Sequence, residues 1–489
     1  MSASAIRPYD VVVIGSGPAA GTVVSGLKNS GLSVAAIDRR KFGGTCALWG
    51  CNSKKVLLNA AKAVDFARRS HGVLTANGAA VGLDWPRLHA FQNTFTDPVP
   101  PGRLAQFRDA GADCYAGAAR FTGADTLVVE SDGGGENESP LTLRFERAVI
   151  ATGSVPLPLD VPGEEFVTHS DAFLEAPQMP ARVAFVGGGY ISLEFAHALL
   201  RADREVTILE ATPHLLDPFD PSLADRLADR TRELGARVEC EVSLAGVEKR
   251  EDGSLRVTAK RANGERFDLL CDAVVHGAGR VPAVAGLGCD AAGIECDEAG
   301  VAVTEELVSR SNPRVFAAGD CAGLGHPMLT PVANAHGDAV VHALTTGEPI
   351  APNVAPLPSS TFTEPELAAV GLTVAKAEED GVPFDLLEAD LGTKGAFRKR
   401  CERYAGYRIL LEPGTGRILG AHLLGPETSE MINLFAVAMR HDLTLADLAA
   451  TPLVYPSLLA EIVQDAAKQA PSGDSPETGS TGAEKAALS

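Results

Sequence analysis

One short pattern occurs twice in this chain, and the repetition constrains the fold more than any other feature. Strand-like Asp10-Val-Val-Val-Ile14 runs into Gly15-Ser16-Gly17-Pro18-Ala19-Ala20, a helical stretch follows to about Asn29, and strand-like Ser33 to Ile37 ends at Asp38. Strand-like Arg182 to Val186 likewise meets Gly187-Gly188-Gly189-Tyr190-Ile191-Ser192, a helical stretch to about Ala202, and strand-like Glu205 to Leu209 ending at Glu210. Both acids stand 23 positions after the first glycine. Each copy reads as a βαβ unit that binds a dinucleotide. A glycine without a Cβ lets backbone approach a pyrophosphate, and the helix N-terminus behind it offers unpaired N–H groups with positive partial charge. Ala20 and Ser192 fill the third fingerprint position, where helix and strand pack closely and a small residue is required.

A chain of 489 residues, 45% hydrophobic and 22% charged, buries enough apolar surface for two to four domains. Its net charge of −20 repels phosphate backbones and anionic membranes, which excludes nucleic acid as an expected partner. No run approaches the ~18 apolar residues of a membrane span, and the first ten residues lack the apolar core of a signal peptide. The expected location is the cytoplasm, without membrane attachment. Nine thinly spread cysteines fit a reducing compartment better than a disulfide framework. Cys289 and Cys296, with six residues between them, lack the second pair or the histidines of a zinc site, so they read as incidental thiols and no metal site is expected.

Downstream of the second unit lie strand-like Arg256 to Lys260 and Ala273 to His276. Proline-rich Ala351 to Pro358 marks a boundary, and Thr361 to about Ala470 reads as a separate α+β domain, with strand-like Arg408 to Leu411 and helical Glu430 to Arg440. The small, polar and acidic stretch Pro471 to Ser489 reads as a disordered tail.

Chemistry concentrates in Gly43-Gly44-Thr45-Cys46-Ala47-Leu48-Trp49-Gly50-Cys51-Asn52-Ser53-Lys54-Lys55. On an ideal helix, residues five apart have Cα atoms about 8.6 Å apart, beyond the ~7 Å a disulfide tolerates. The turn between the two cysteines is therefore expected to be distorted, and Gly50 permits that. A helix N-terminus and two lysines are expected to favour a thiolate.

With these motifs the chain resembles the class I pyridine nucleotide-disulfide oxidoreductases over residues 10 to about 470. The resemblance extends to Ala151-Thr152-Gly153, Ala278-Gly279-Arg280, Gly319-Asp320, Leu329-Thr330-Pro331-Val-Ala333, Phe362-Thr-Glu-Pro365-Glu and Val370-Gly-Leu-Thr373. It implies an α/β fold with two Rossmann-like dinucleotide-binding domains and a C-terminal α+β dimerisation domain. The implied boundaries are 1–155 and 277–352 for FAD, 156–276 for NAD(P), 353–470 for the interface and 471–489 for the tail. By the same resemblance Gly15, Ser16, Gly17, Pro18, Ala19, Asp38, Gly44, Thr45, Lys55, Thr152, Gly153, Gly279, Arg280, Gly319, Asp320, Thr330 and Pro331 belong with the cofactors. There Asp38 meets the adenosine ribose and Asp320 the ribityl chain. Gly187, Gly189, Tyr190, Ile191 and Glu210 belong with the nicotinamide dinucleotide. Cys51 is then the thiol facing the flavin in a charge-transfer pair, Cys46 the interchange thiol, Lys54 and Glu194 an ion pair near the flavin, and Tyr190 a gate over it. Glu210, which would bond a ribose hydroxyl and repel a phosphate, implies NADH rather than NADPH.

The chain departs from the family near its end. Where the family has His-Pro-Thr followed by glutamate, supplied from the partner subunit, this sequence has Tyr455-Pro456-Ser457, with Ala460 at the glutamate position and Glu461 one place later. Tyrosine titrates near 10 and histidine near 6.5, so a phenol is a poor general base at neutral pH. The expected function is a homodimeric reductase of a small disulfide or similar thiol-reactive substrate. Reduction of a metal ion or quinone, and a non-catalytic flavoprotein redox sensor, are the alternatives. His326, His336 and His441 read as structural.

Overall fold

In a computed structural model of the chain, residues 6–130 and 141–471 are described, so all of the expected tail after Pro471 lies outside the described residues. The chain divides into two compact units. One comprises residues up to Asp217 with Ala228–Ala355 and Phe362–Glu364, the other Pro218–Leu227, Pro356–Thr361 and everything from Pro365 on.

The first unit is built on two sheets, the first parallel except for its antiparallel edge, where Leu141–Ile150, Thr126–Glu130 and Ala118–Gly123 pair in turn, and the second parallel throughout. Strands β1 (Arg7–Ile14), β2 (Val34–Asp38), β3 (Ala112–Ala116), β4 (Ala118–Gly123), β5 (Thr126–Glu130) and β6 (Leu141–Ile150) lie in the order β3-β2-β1-β6-β5-β4, and strand Val315–Ala317 also pairs with β6. Val11 to Ile14 are all buried, as expected where both faces of a parallel sheet are covered. Register decides the site. Ile14 lies opposite both Ile37 and Ile150, and Ile150 opposite Ala317. The strand ends are therefore level, and the residues that follow them, Gly15, Asp38, Ala151 and the Gly319-Asp320 turn, emerge at one edge of the sheet. Ligands of such folds bind at that edge.

The second sheet runs Arg237–Glu239, Glu205–Leu209, Arg182–Val186, Ala273–His276, Val167–Thr168, all parallel. Leu209, Val186 and His276 are level, which brings Glu210, Gly187 and Gly277 to a common edge. An antiparallel sheet of Val242–Lys249, Leu255–Arg261 and Arg266–Cys271 accompanies it.

The other unit carries a five-stranded antiparallel sheet in the order Ser359–Thr361, Glu366–Gly371, Ile418–Gly425, Gly406–Leu411, Asp385–Asp390. Helices Thr428–Arg440 and Leu458–Gln469 cover it, burying Phe435, Ile462 and Val463. The sequence-based expectation of α/β fingerprints followed by an α+β region describes this architecture.

Candidate active site

Helix α1 (Pro18–Gly26) starts at Gly17 with no side chain capping it, so its first N–H groups stay available to a ligand anion. Gly15 has φ +120 and its missing Cβ would meet the Ala151 carbonyl at the neighbouring strand end. Gly44, φ +75, sits on the backbone of Gly17. At both glycines neighbouring backbone takes the place of a Cβ, so the turn before the uncapped helix N-terminus stays tight, an arrangement that fits a bound pyrophosphate. Asp38 accepts from Ser16 Oγ at 2.5 Å and from Arg40 N at 2.8 Å, and burial raises its carboxyl above the ordinary value. Ser16 Oγ in turn accepts from Gly43 N at 2.9 Å, tying the fingerprint to the segment that carries Cys46.

Three motifs far apart in sequence meet at Ser154, which sequence reasoning did not single out. Its hydroxyl donates to Asp320 Oδ2 at 2.8 Å and accepts from Arg280 Nε at 2.9 Å, while Arg280 Nη2 donates to its carbonyl at 2.6 Å. Ser154 follows Ala151-Thr152-Gly153 directly, so one serine holds Gly153, Gly279-Arg280 and Gly319-Asp320 in place. His336 is buried and accepts from Gly319 N at 3.1 Å; its other ring nitrogen lies 2.9 Å from His326 Nδ1. Burial and His326 pull His336 down to about 4. The structural reading of these two histidines agrees with that arrangement.

The thiols lie at a break between helices α2 (Gly44–Leu48) and α3 (Cys51–Arg69). Gly50, at φ −137 and ψ −119, is that break, and a Cβ there would come 2.9 Å from Thr45 O. The distortion expected from the five-residue spacing is thus present at the glycine expected to allow it. Both cysteines are free thiols, Cys46 half-buried and Cys51 exposed. Thr330, first residue of helix Thr330–Thr346, donates from Oγ1 to Cys46 Sγ at 3.0 Å and lies 4.0 Å from Cys51 Sγ.

The two sulfurs are electrostatically unequal. Contact with the Cys46 thiol draws Cys51 down to about 6, and Lys54 and Thr330 add to that against the opposing effect of burial. Cys46 moves up, first because it donates to Cys51 and second because it is buried. In the dithiol state Cys51 is therefore the thiolate and Cys46 holds the proton.

Lys54 Nζ is 2.7 Å from Glu194 Oε2, with both side chains buried. Burial is the largest single effect and would lower the Lys54 ammonium, but Glu194, with Tyr190 and Cys51, outweighs it and the net shift is upward. Glu194 Oε1 accepts from Phe362 N at 3.0 Å, and Lys54 Nζ lies 4.7 Å from the Tyr190 ring centroid. Helix α3 and helix Tyr190–Arg201 thus bring Cys51, Lys54, Glu194 and Tyr190 together. Lys55 Nζ lies over the Phe362 ring. Pro331 follows Thr330 at the second position of its helix, Thr45 follows Gly44 in α2, and Ile191 follows Tyr190 in the first turn of its own.

At the second fingerprint Gly187, φ +94, donates to Leu209 O at 2.8 Å. Glu210 accepts from Gly188 N with one oxygen and from Thr212 N at 2.7 Å with the other. Ser192 is fully buried beside Gly277, where a Cβ would strike its hydroxyl. That is the close packing the third fingerprint position demands.

Tyr455 belongs to the other unit and is 78% exposed, beside Val454 at 81%. Ala460 is buried and Glu461 half-buried in the first turn of helix Leu458–Gln469. Among the described residues the tyrosine is left largely uncovered. Among the described residues no group of three or more His, Cys, Asp or Glu side chains could hold a metal, and no helix is long and apolar enough to cross a membrane.

Residues 9–337 match the family model for pyridine nucleotide-disulphide oxidoreductases, and residues 357–467 match that family's dimerisation domain. The dihydrolipoyl dehydrogenase of Haloferax volcanii is 30% identical over 465 residues, covering 94% of this chain and 96% of that protein. A glutathione reductase of Burkholderia cepacia is 28% identical over 455 residues, 93% of this chain and 98% of that protein. Among solved structures, the Cu(II) complex of the HOCl-induced flavoprotein disulfide reductase RclA from Escherichia coli superposes with a TM-score of 0.82 at 25% identity, covering 95% of this chain and all of that one.

Proposed function

The chain belongs to the pyridine nucleotide-disulphide oxidoreductase family, whose members typically use FAD and NAD(P)H, and we propose that this enzyme takes electrons from NADH and delivers them through Cys46 and Cys51 to a small disulfide with a good leaving group. The observation that carries the reading is the inequality of the two thiols under Thr330 and Lys54.

Bound at the first sheet edge, FAD would supply two-electron transfer between nicotinamide and thiols. Gly15, Gly17 and Gly44 would make room for its pyrophosphate, Asp38 would accept from its ribose, and the Ser154-Asp320-Arg280 group would hold the remainder. Cys46 Sγ attacks one substrate sulfur once its proton has left; the substrate's S–S bond breaks and one thiolate departs. Cys51 Sγ then attacks Cys46 Sγ, forming the Cys46–Cys51 bond and releasing the second thiolate. Two electrons leave the cysteine pair and reduce the substrate disulfide, and the two departing thiolates take up two protons. Thr330 Oγ1, already bonded to Cys46 Sγ, orients that sulfur.

Glu210 supports NADH over NADPH, because a ribose 2′-phosphate would meet a carboxylate already crowded between Gly188 and Thr212. The match to the family's dimerisation domain supports a homodimer, in which an exposed Tyr455 would find its cover. Reduction of a thiophilic metal ion such as Cu(II) is the second reading. It is favoured by a soft two-thiol site and by the copper complex of the structural relative.

General acid/base assistance contributes about a hundred- to ten-thousand-fold where a group titrates near the working pH, and a tyrosine does not supply it. Glutathione disulfide should therefore turn over slowly and an activated aromatic disulfide rapidly, with Tyr455→His raising the former selectively. Steady-state kinetics with NADH on glutathione disulfide, an aromatic disulfide and Cu(II) test the reading. Equal rates on both disulfides, unchanged in Tyr455→His, would remove Tyr455 from the mechanism, and turnover of Cu(II) alone would favour the second reading.

A further inference from the structure

A second pair of thiols lies in the first unit, outside the site just described. Cys289 opens a one-turn helix, Cys289–Ala292, between two left-handed glycines, Gly288 at φ +67 and Gly293 at φ +65. Left-handed backbone at both ends reverses the chain, so Ile294 N returns to donate to Cys289 O at 3.0 Å. The following strand, Cys296–Asp297, is held by pairing with Gly300–Val301, with Cys296 opposite Val301. Val301 N in turn donates to Cys321 O at 2.9 Å, anchoring the hairpin to the turn that carries Asp320. Cys289 packs half-buried against the core of the first sheet, while Cys296 is exposed. Each thiol lies near enough to the other to alter its ionisation.

Two cysteines without a third ligand do not make a zinc site, and among the described residues no larger cluster includes them. One accessible thiol backed by one sheltered thiol is the arrangement of an attacking and a resolving cysteine. We propose that Cys289 and Cys296 are a second dithiol site, which low-molecular-weight disulfides convert to an intramolecular disulfide independently of Cys46 and Cys51.

The step balances as thiol-disulfide exchange. Cys296 Sγ attacks one sulfur of RSSR, the R–S–S–R bond breaks, and RS⁻ leaves. Cys289 Sγ then attacks Cys296 Sγ, the Cys289–Cys296 bond forms, and a second RS⁻ leaves. The two cysteine protons end on the two departing thiolates, giving two RSH; the cysteines lose two electrons and RSSR gains them. The surroundings set the pace. Burial raises Cys289, while burial and the Cys289 thiol, with Asp290 and Asp297 adding, push Cys296 up to about 12. The guanidinium in the adjoining strand, Arg120, is already paired with Glu130 at 2.8 Å. Among the described residues no cation counts among the groups that shift either thiol, so the reduced pair gains nothing from ionisation; its disulfide forms slowly and, once formed, resists reduction more than Cys46–Cys51 does.

The test uses the full-length FAD-loaded protein carrying Cys46→Ser and Cys51→Ser, so the outcome does not depend on the function assigned to those cysteines. It is incubated with excess oxidised glutathione, acid-quenched, alkylated, digested with trypsin and analysed by mass spectrometry. Residues 281–310 contain no internal Lys or Arg and only these two cysteines, so one tryptic peptide reports on the pair. The expected peptide is lighter than the reduced one by two hydrogen atoms and resists alkylation until a phosphine is added. In the same background, Cys289→Ser should trap glutathione on Cys296. A peptide alkylated at both cysteines, or one that retains glutathione while both cysteines are present, would overturn the proposal.

Discussion

The Cys46/Cys51 and Cys289/Cys296 pairs are built from the same two side chains, and their surroundings drive them in opposite directions. In the first, contact with the Cys46 thiol, helped by Lys54 and Thr330, outweighs burial and draws Cys51, the first residue of a 19-residue helix, down to about 6. In the second, burial and the Cys289 thiol, with Asp290 and Asp297 adding, push Cys296 up to about 12. Spacing brings sulfurs together, but the charges and donors around them decide which pair exchanges electrons rapidly.

The largest effect that separates the pairs is on turnover. Cys51→Ser should reduce NADH-dependent disulfide reduction to background and abolish any long-wavelength absorbance of the two-electron-reduced enzyme, while Cys296→Ser should leave both unchanged. A matching loss in Cys296→Ser would make the second pair part of the main electron path.

Next comes the cation that distinguishes them. Lys54→Met removes the positive charge near Cys51 and leaves Glu194 buried and unpaired, a change that typically costs about 3–5 kcal/mol. A lower denaturation midpoint is expected, together with a Cys51 thiolate that forms only at higher pH. Adding Glu194→Gln should restore most of the stability but not the thiolate. If the double variant regained the wild-type midpoint for Cys51, Lys54 would not be the cause of its ionisation.

The smallest effect is a rate ratio. At pH 7 the thiolate fractions of thiols at about 6 and about 12 differ by roughly 10⁵, while the less basic thiolate is intrinsically slower by about 10² to 10³. Iodoacetamide should therefore label Cys51 about a hundredfold faster than Cys296 in the reduced protein. The sign with pH follows: Cys51 labelling is nearly flat above about pH 7 and falls as pH drops through about 6, where the thiolate protonates, whereas Cys296 labelling climbs about tenfold per unit between pH 6 and 9. Parallel profiles for the two residues, read by peptide mass spectrometry, would erase the contrast.

Much of this molecule follows from local rules. Gly15 and Gly187 occupy positions where only a residue without a Cβ fits, Asp38 and Glu210 end strands whose length the βαβ unit sets, and Gly50 interrupts a helix because two cysteines five apart require it. The pattern that marks each lies within a few tens of residues, so spacing and residue type were sufficient to read them, although the backbone that crowds Gly15 and Gly187 belongs to distant Ala151 and Gly277. The tertiary structure alone decided the rest. Thr330 reaches Cys46 across 284 positions, Ser154 joins Asp320 across 166, and Glu194 receives the Phe362 amide across 168. Cys289 and Cys296 are near in sequence, yet two left-handed glycines and a pairing with Val301 set the chain reversal that lets each affect the other's ionisation. Periodicity and turn chemistry fix elements one at a time, whereas which hydroxyl, amide or carboxylate meets a given sulfur depends on strand register and helix packing summed over the whole chain.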